Sequence, residues 1–273
     1  MMRSSFWQLL ALLHLLLAGL SASAEELVVG GTGSSQPIIQ LLFDEFRKQA
    51  PGVTLRQLSP PIGSGGALKA LAAGRIDLGV IGRPLQPGES PGVGEHFLLA
   101  DTAFVLASRD GKPADGFTLE QLTQIYEGHL RSWDDGSPIR LILRPSFESD
   151  TLVLRGMSPT MDKAVVAAAL RPGMVTGDND FHTLKLIAGT PGSLGPTTLG
   201  MLKTTDTRVS VIPINGVTPS LANLMNGSYP WCKALTVVLP RQPGALAARF
   251  AAFLRSPTAA RILQAHDYLA GVQ

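Results

Sequence analysis

The chain has 273 residues, with 23 lysines and arginines against 21 aspartates and glutamates and a single cysteine. That near balance, with no long block of one sign, gives no support to an extended nucleic-acid footprint or a polybasic membrane patch. One cysteine excludes an internal disulfide, so a packed core must carry the stability. The five histidines are scattered, with no H-E-x-x-H and no pair at metal-ligand spacing, so neither a metal nor a cofactor is expected.

The first residues are a targeting segment rather than part of a fold. Arg3 gives a positive start, Phe6 to Leu20 is apolar except for Gln8 and His14, and Ala22-Ser23-Ala24 is a small-x-small cleavage pattern before Glu25. A membrane anchor is the competing reading, but the run falls short of the roughly 20 apolar residues that span a bilayer. No cysteine lies at the junction to take a lipid there. Residues 1–24 are therefore expected to be a cleaved signal peptide, placing the mature chain in the periplasm or outside the cell.

Strands and helices alternate thereafter, which predicts an α/β architecture. Glu26 to Gly30 is a short strand running into Gly31-Thr32-Gly33-Ser34-Ser35, and Pro37 opens an amphipathic helix to about Gln49. Ser34 or Ser35 is placed to cap it, and Ile38, Leu41, Leu42 and Phe46 should face a sheet. The unit repeats with a strand from Val53 to Leu58, the Gly63-Ser64-Gly65-Gly66 loop, a helix through Leu71, and a strand from Ile76 to Ile81 ending in Gly82-Arg83-Pro84. Asp77, inside that strand, reads as a structural hydrogen-bonding group.

Ala103 to Ser108 is a strand that crosses into a second lobe. Thr118 with Gln121 forms a capping box, and the strand from Ile139 to Leu143 ends at Arg144-Pro145 before a helix following Glu148-Ser149-Asp150-Thr151. Val209 to Ile214 is a later strand, Ala234 to Leu239 is the return crossing, and helices over about 244–254 and 257–264 pack on the first lobe. The expected division is residues 25–104 with 236–273 in one lobe and 105–235 in the other. Tyr229-Pro230-Trp231 reads as core or hinge packing.

Glycine-rich strand-to-helix junctions suit one kind of ligand. A dehydrated oxyanion needs donors already oriented; helix amino termini supply unpaired N–H groups with a partial positive charge, and glycine permits close approach. Thr32, Gly33 and Ser34, then Ser64 and Gly65, lie at two such junctions, and Ser149, Asp150 and Thr151 at a third. Arg83 and Arg144 end neighbouring strands, and a guanidinium matches phosphate oxygens in a two-pronged geometry. Each piece alone also reads as a turn, a cap or a surface charge. In this order the combination is specific.

The order resembles that of the substrate-binding component of phosphate ABC transporters. The resemblance is carried by Gly31-Thr32-Gly33-Ser34-Ser35, Gly63-Ser64-Gly65-Gly66, Ile76-Asp77-Leu78-Gly79 with Arg83-Pro84-Leu85, and Ser137-Pro138-Ile139 leading to Arg144-Pro145. Ser149-Asp150-Thr151, Ile214-Asn215-Gly216 and Gly227-Ser228-Tyr229-Pro230 continue it along nearly the whole mature chain. It implies a type II two-lobed binding-protein fold with two hinge-crossing strands, closing on inorganic phosphate or a similar oxyanion and docking on an inner-membrane ABC permease. It also implies that Thr32, Ser34, Ser64, Arg144, Ser149 and Thr151 contact the ligand.

Two departures stand out. Arg144 to Thr151 is one residue longer than the family's arginine followed by Ser-Gly-Thr, with Asp150 in place of the glycine. Asp150 at a helix start caps it, but aimed at the ligand it repels a fully ionised anion. Better-known phosphate binders also carry an aspartate where Gly82 stands, accepting the ligand's proton and so telling hydrogen phosphate from sulfate. Asp150 or Glu148 is the candidate replacement. An enzyme is not expected: no G-x-S-x-G elbow, Walker loop or completed G-x-G-x-x-G is present. The alternative is a phosphate-binding-like protein with a non-transport role (phosphate sensing, secretion or adhesion), or with specificity for another oxyanion.

Overall fold

The structure is a computed structural model and describes residues 25–110 and 115–271. The expected signal peptide lies outside the described residues. Among the described residues no helix is long and apolar enough to cross a membrane.

Among the described residues ten strands form the framework: β1 (Glu25–Gly31), β2 (Val53–Gln57), β3 (Leu78–Ile81), β4 (Val93–Ser108), β5 (Arg140–Leu143), β6 (Val175–Thr176), β7 (Ser193–Thr198), β8 (Ser210–Ile212), β9 (Cys232–Pro240) and β10 (Tyr268–Ala270). They are ordered β2-β1-β3-β9-β4-β7-β5-β6, with β8 and β10 both on β4. Pairing is parallel among β2, β1 and β3 and among β7, β5 and β6, and antiparallel through the middle. Parallel strands need helical crossovers, so each end of the sheet is an α/β unit and the middle joins them.

The core divides at the same place. One cluster gathers Leu27, Phe43, Phe46, Leu99, Ala100 and Phe250; another gathers Ala103, Phe104, Tyr126, Trp133, Leu194 and Tyr229. The division falls within β4, whose first part pairs β9 and β10 while Phe104–Ser108 pairs β7 and β8. With β9 as the return strand, this is the two-lobed type II arrangement with two crossings.

Local sequence explains most elements. Pro37 opens the Gln36–Phe46 helix, which buries Ile38, Ile39, Leu42, Phe43 and Phe46. Leu41, expected inside, is exposed, because the buried stripe runs through Phe43 and a residue's turn carries Leu41 past its edge. Ser35 is the N-cap residue but makes no side-chain cap; its hydroxyl donates to the Thr32 carbonyl at 2.8 Å. The Gly63–Ala72 helix begins at Gly63 itself, so the expected glycine loop is its first turn. The first crossing strand is longer than its apolar tail suggests, starting at Val93. Thr118 and Gln121 form the expected capping box, and Asp77 accepts the Val28 amide at 2.8 Å.

Candidate functional site

Where the two lobes face each other, the first offers neutral donors and the second offers charge. In the first lobe the Thr32 amide donates to the Val80 carbonyl at 3.0 Å, anchoring the turn after β1. The Thr32 hydroxyl and the Gly33 amide then point across the cleft. Ser34 lies 3.2 Å from Thr32, hydroxyl to hydroxyl. Ser64 accepts the Gly82 amide at 3.0 Å, tying the first turn of its helix to the end of β3.

The opposite face is built on Arg144, which follows β5 directly. Its side chain is 1% exposed and is fixed by Nη1 donating to the Gly177 carbonyl at 2.9 Å and to the Thr183 hydroxyl at 3.2 Å. Three carboxylates surround it: Glu148 at 3.3 Å, Asp150 at 3.3 Å and Asp180 at 3.6 Å. Glu148 is the N-cap residue of the Ser149–Gly156 helix and Asp150 lies in its first turn, while Asp180 opens the Asp180–Gly189 helix. Helix starts favour negative charge. Here the chain's own carboxylates occupy them.

A second cation completes the cluster. Lys233, near the start of β9, has a side chain with no exposure and donates to Asp150 Oδ1 at 2.7 Å and to Asp180 Oδ1 at 2.9 Å. The remaining oxygen of Asp180 accepts the Gly33 amide at 2.9 Å and the Thr32 hydroxyl at 3.2 Å. The Thr32-Gly33 turn of the first lobe is thus satisfied by a carboxylate of the second. Burial opposes the charge of Asp180, but Lys233, Arg144 and the hydrogen bonds from Lys233 and Thr32 outweigh it and hold its pKa below the usual carboxylate range. Burial likewise works against the Lys233 ammonium, and Asp150 and Asp180 reverse it, raising its pKa. Glu148 is pushed up by burial, which Arg144 only partly offsets.

The expected site residues divide into groups. Thr32, Gly33, Ser34, Arg144 and Asp150 converge on the cluster or its immediate support, and Ser64 and Ser149 flank it. Ser149 Oγ is buried without a hydrogen-bond partner. Thr151 is buried, but its hydroxyl donates to the Pro145 carbonyl at 2.9 Å and so closes the Arg144 loop. Gly65 is exposed in the first turn of its helix. Arg83 is committed to Glu89, reaching both carboxylate oxygens at 2.7 Å, an internal pair in place of the expected reach to a ligand. Asp150 accepts a hydrogen bond from Lys233 through Oδ1, and its Oδ2 lies 3.3 Å from Arg144 Nε as an ion pair. Among the described residues no group of three or more His, Cys, Asp or Glu is arranged to hold a metal.

Lys233 and Asp180 are the two members that sequence reading misses. A lysine opening a strand that continues Ala-Leu-Thr-Val-Val carries the same signal that marks Arg144, a charge in an apolar strand needing a partner. Asp180 has no such signal, since an acid after Asn179 reads as an ordinary first-turn residue. The geometry also explains Gly82. A Cβ there would stand 2.7 Å from Lys233 Cε and 2.7 Å from Ser149 Oγ. Lys233 and Ser149 fill the space that a side chain at position 82 would need.

A groove of about 520 Å³ opens beside the cluster, lined from both lobes by Gly82, Leu85, Ser149, Leu152 and Lys233 among others. Tyr229, in contrast, is core: it is buried and its hydroxyl donates to the Phe104 carbonyl at 2.8 Å.

The PBP superfamily domain family matches residues 18–258, and the chain belongs to that superfamily. Phosphate-binding protein PstS of Bacillus subtilis (strain 168) is 24% identical over 222 residues, covering 77% of this chain and 70% of that protein. A Clostridium perfringens protein, described as a phosphate ABC transporter substrate-binding protein and solved with bound phosphate, superposes with a TM-score of 0.76 at 20% identity, over 91% of this chain and 100% of that one. The periplasmic molybdate-binding protein of Azotobacter vinelandii superposes with a TM-score of 0.63 at 18% identity, over 90% of this chain and 100% of that one. At such identities the likeness to solved structures is one of fold.

Proposed function

We propose that this member of the PBP superfamily is an exported solute-binding protein that takes inorganic phosphate or a similar oxyanion between its lobes, without catalysis, and presents it to an ABC permease. The carrying observation is convergence. The Gly33 amide and Thr32 hydroxyl from one lobe, Arg144 from the other and Lys233 from a crossing strand all reach one anionic group, the Asp180 carboxylate. Donors fixed in this way suit a small oxyanion stripped of water. The phosphate-binding relatives and the phosphate-bound neighbour support the same ligand class. In this reading residues 25–104 and 236–273 form one jaw, residues 105–235 form the other, and residues 1–24 direct export.

One observation favours the second reading, of a related role or another oxyanion. The cleft holds Glu148, Asp150 and Asp180 against Arg144 and Lys233, so with all five ionised its charge is negative. A dianion entering that cleft gains less than one entering a positive cleft. Calorimetric titration of ligand-stripped protein with phosphate, arsenate, sulfate and molybdate separates the readings. Phosphate heats support phosphate as the solute, and binding of sulfate or molybdate alone supports another oxyanion. Heats from none of the four overturn oxyanion capture altogether.

A further inference from the structure

We propose that Asp180 is a built-in ligand, whose carboxylate occupies the anion seat, holds the lobes together without solute, and must be displaced before an external oxyanion can bind. The inference rests on the preceding reading only in taking this seat as the solute site.

The argument begins with the donors. A solute-binding cleft ordinarily leaves its helix-start amides and guanidinium to the ligand, whose differential affinity for the closed form drives closure. Here the two first-lobe donors that cross the cleft, the Gly33 amide and the Thr32 hydroxyl, both end on Asp180 Oδ2. The cations that would neutralise a solute are also engaged, Lys233 with Asp150 and Asp180 and Arg144 with all three carboxylates. Each is a charge-assisted contact or ion pair between largely buried side chains, where such contacts are stronger than in water.

The fit between the lobes is close at the same points. A Cβ on Gly33 would stand 2.9 Å from Asp180 Oδ2, and one on Gly63 would stand 3.1 Å from Glu148 Oε1. Second-lobe carboxylates therefore touch both glycine-bearing helix starts of the first lobe. Ser149 Oγ, 3% exposed as a residue, and Arg144 Nε are buried donors at this seat that the internal carboxylates leave without a hydrogen bond. A protein closed on its own side chain binds solute only through the fraction in which that side chain has left, and its apparent affinity falls by that fraction.

The test uses the exported chain, stripped of ligand, with spin labels on one exposed residue of each lobe. Distances are measured with and without inorganic phosphate, on wild type and on Asp180→Ala and Asp180→Asn. Wild type is expected to show the short interlobe distance before phosphate is added, and Asp180→Ala to lengthen it. Calorimetry on the same proteins is expected to give tighter phosphate binding to Asp180→Ala than to wild type, on the order of tenfold or more. A ligand-free wild type that is open and closes on phosphate overturns the proposal, and this measurement needs no variant to fold. So does equal phosphate affinity in wild type and both variants. If Asp180→Ala opens yet neither protein binds any oxyanion, self-ligation stands and oxyanion capture falls. If wild type binds phosphate tightly and Asp180→Ala weakens it, capture stands and self-ligation falls.

Discussion

The two faces of the cleft are made of different chemistry. The first-lobe face is neutral: Thr32, Gly33, Ser34 and Ser64 present hydroxyls and an amide, set by hydrogen bonds within that lobe such as Thr32 to Val80 and Gly82 to Ser64. The second-lobe face is ionic, with Arg144, Glu148, Asp150 and Asp180 mutually paired, and Lys233 joins it from the crossing strand. A neutral donor face accepts any anion of suitable size. An ionic face whose charges are already paired discriminates by what it costs to break those pairs. In the proposed reading, the comparison assigns the cleft's selectivity to the second lobe and the crossing strand, and a general anion seat to the first lobe.

The largest effect should follow from removing the hinge cation. Lys233→Met leaves Asp150 and Asp180 buried with only Arg144 between them, and loss of one partner from a buried ionic group costs about 3–5 kcal/mol. Denaturant unfolding should show that loss, and a change below about 1 kcal/mol would mean that the ionic face does not hold the cleft together. Next comes Gly82→Ala, whose new methyl meets Lys233 and Ser149 at 2.7 Å. Overpacking of this kind costs about 1–3 kcal/mol, measurable as a lowered unfolding midpoint. On the neutral face, Thr32→Val removes one hydrogen bond to a charged group, and about 1.5–3 kcal/mol at most should be lost. Its effect should be smaller than that of Lys233→Met in the same assay.

The smallest effect has the opposite sign and depends on pH. Glu148 has a folded pKa above its ordinary 4.5, so its favourable contribution is complete below that value and fades as pH rises through the raised one. Glu148→Gln abolishes that loss, and the variant should equal or slightly exceed wild type in stability at pH 7. Asp180 runs the other way. Its pKa is depressed, so its contribution is present above pH 3.8 and is lost as pH falls toward the folded value. Thermal unfolding of wild type and Asp180→Asn should therefore converge on acidification. Curves that stay parallel from neutral to strongly acid pH would remove Asp180 from the ionic face's stability. Cys232 offers a control outside the cluster: burial, helped by Asp101, raises its thiol to about 11, and alkylation at pH 8 should be slow.

Much of this was legible along the chain. Alternating apolar strands and helix starts disclose the α/β class, the two crossings and the glycine-bearing turns, because these depend on short-range patterning and backbone sterics. Arg144 stood out for the same reason, a charge ending an apolar strand. Residues 159–205 were less readable: the Pro159–Leu170, Asp180–Gly189 and Leu199–Thr205 helices and β7 carry no assigned element, although Ser158, Asn179 and Thr198 do cap those helices.

By itself, then, the sequence determined the local elements, the donors of the first lobe and the presence of Arg144, since hydrogen-bonding valence and periodicity belong to neighbouring residues. Only the tertiary structure decided what those donors meet. Asp180 is 147 residues from Gly33 along the chain and Lys233 is 53 beyond Asp180. Whether a carboxylate is solvent-facing or an internal ligand depends on which cations share its buried space, and chain order alone does not encode that distance.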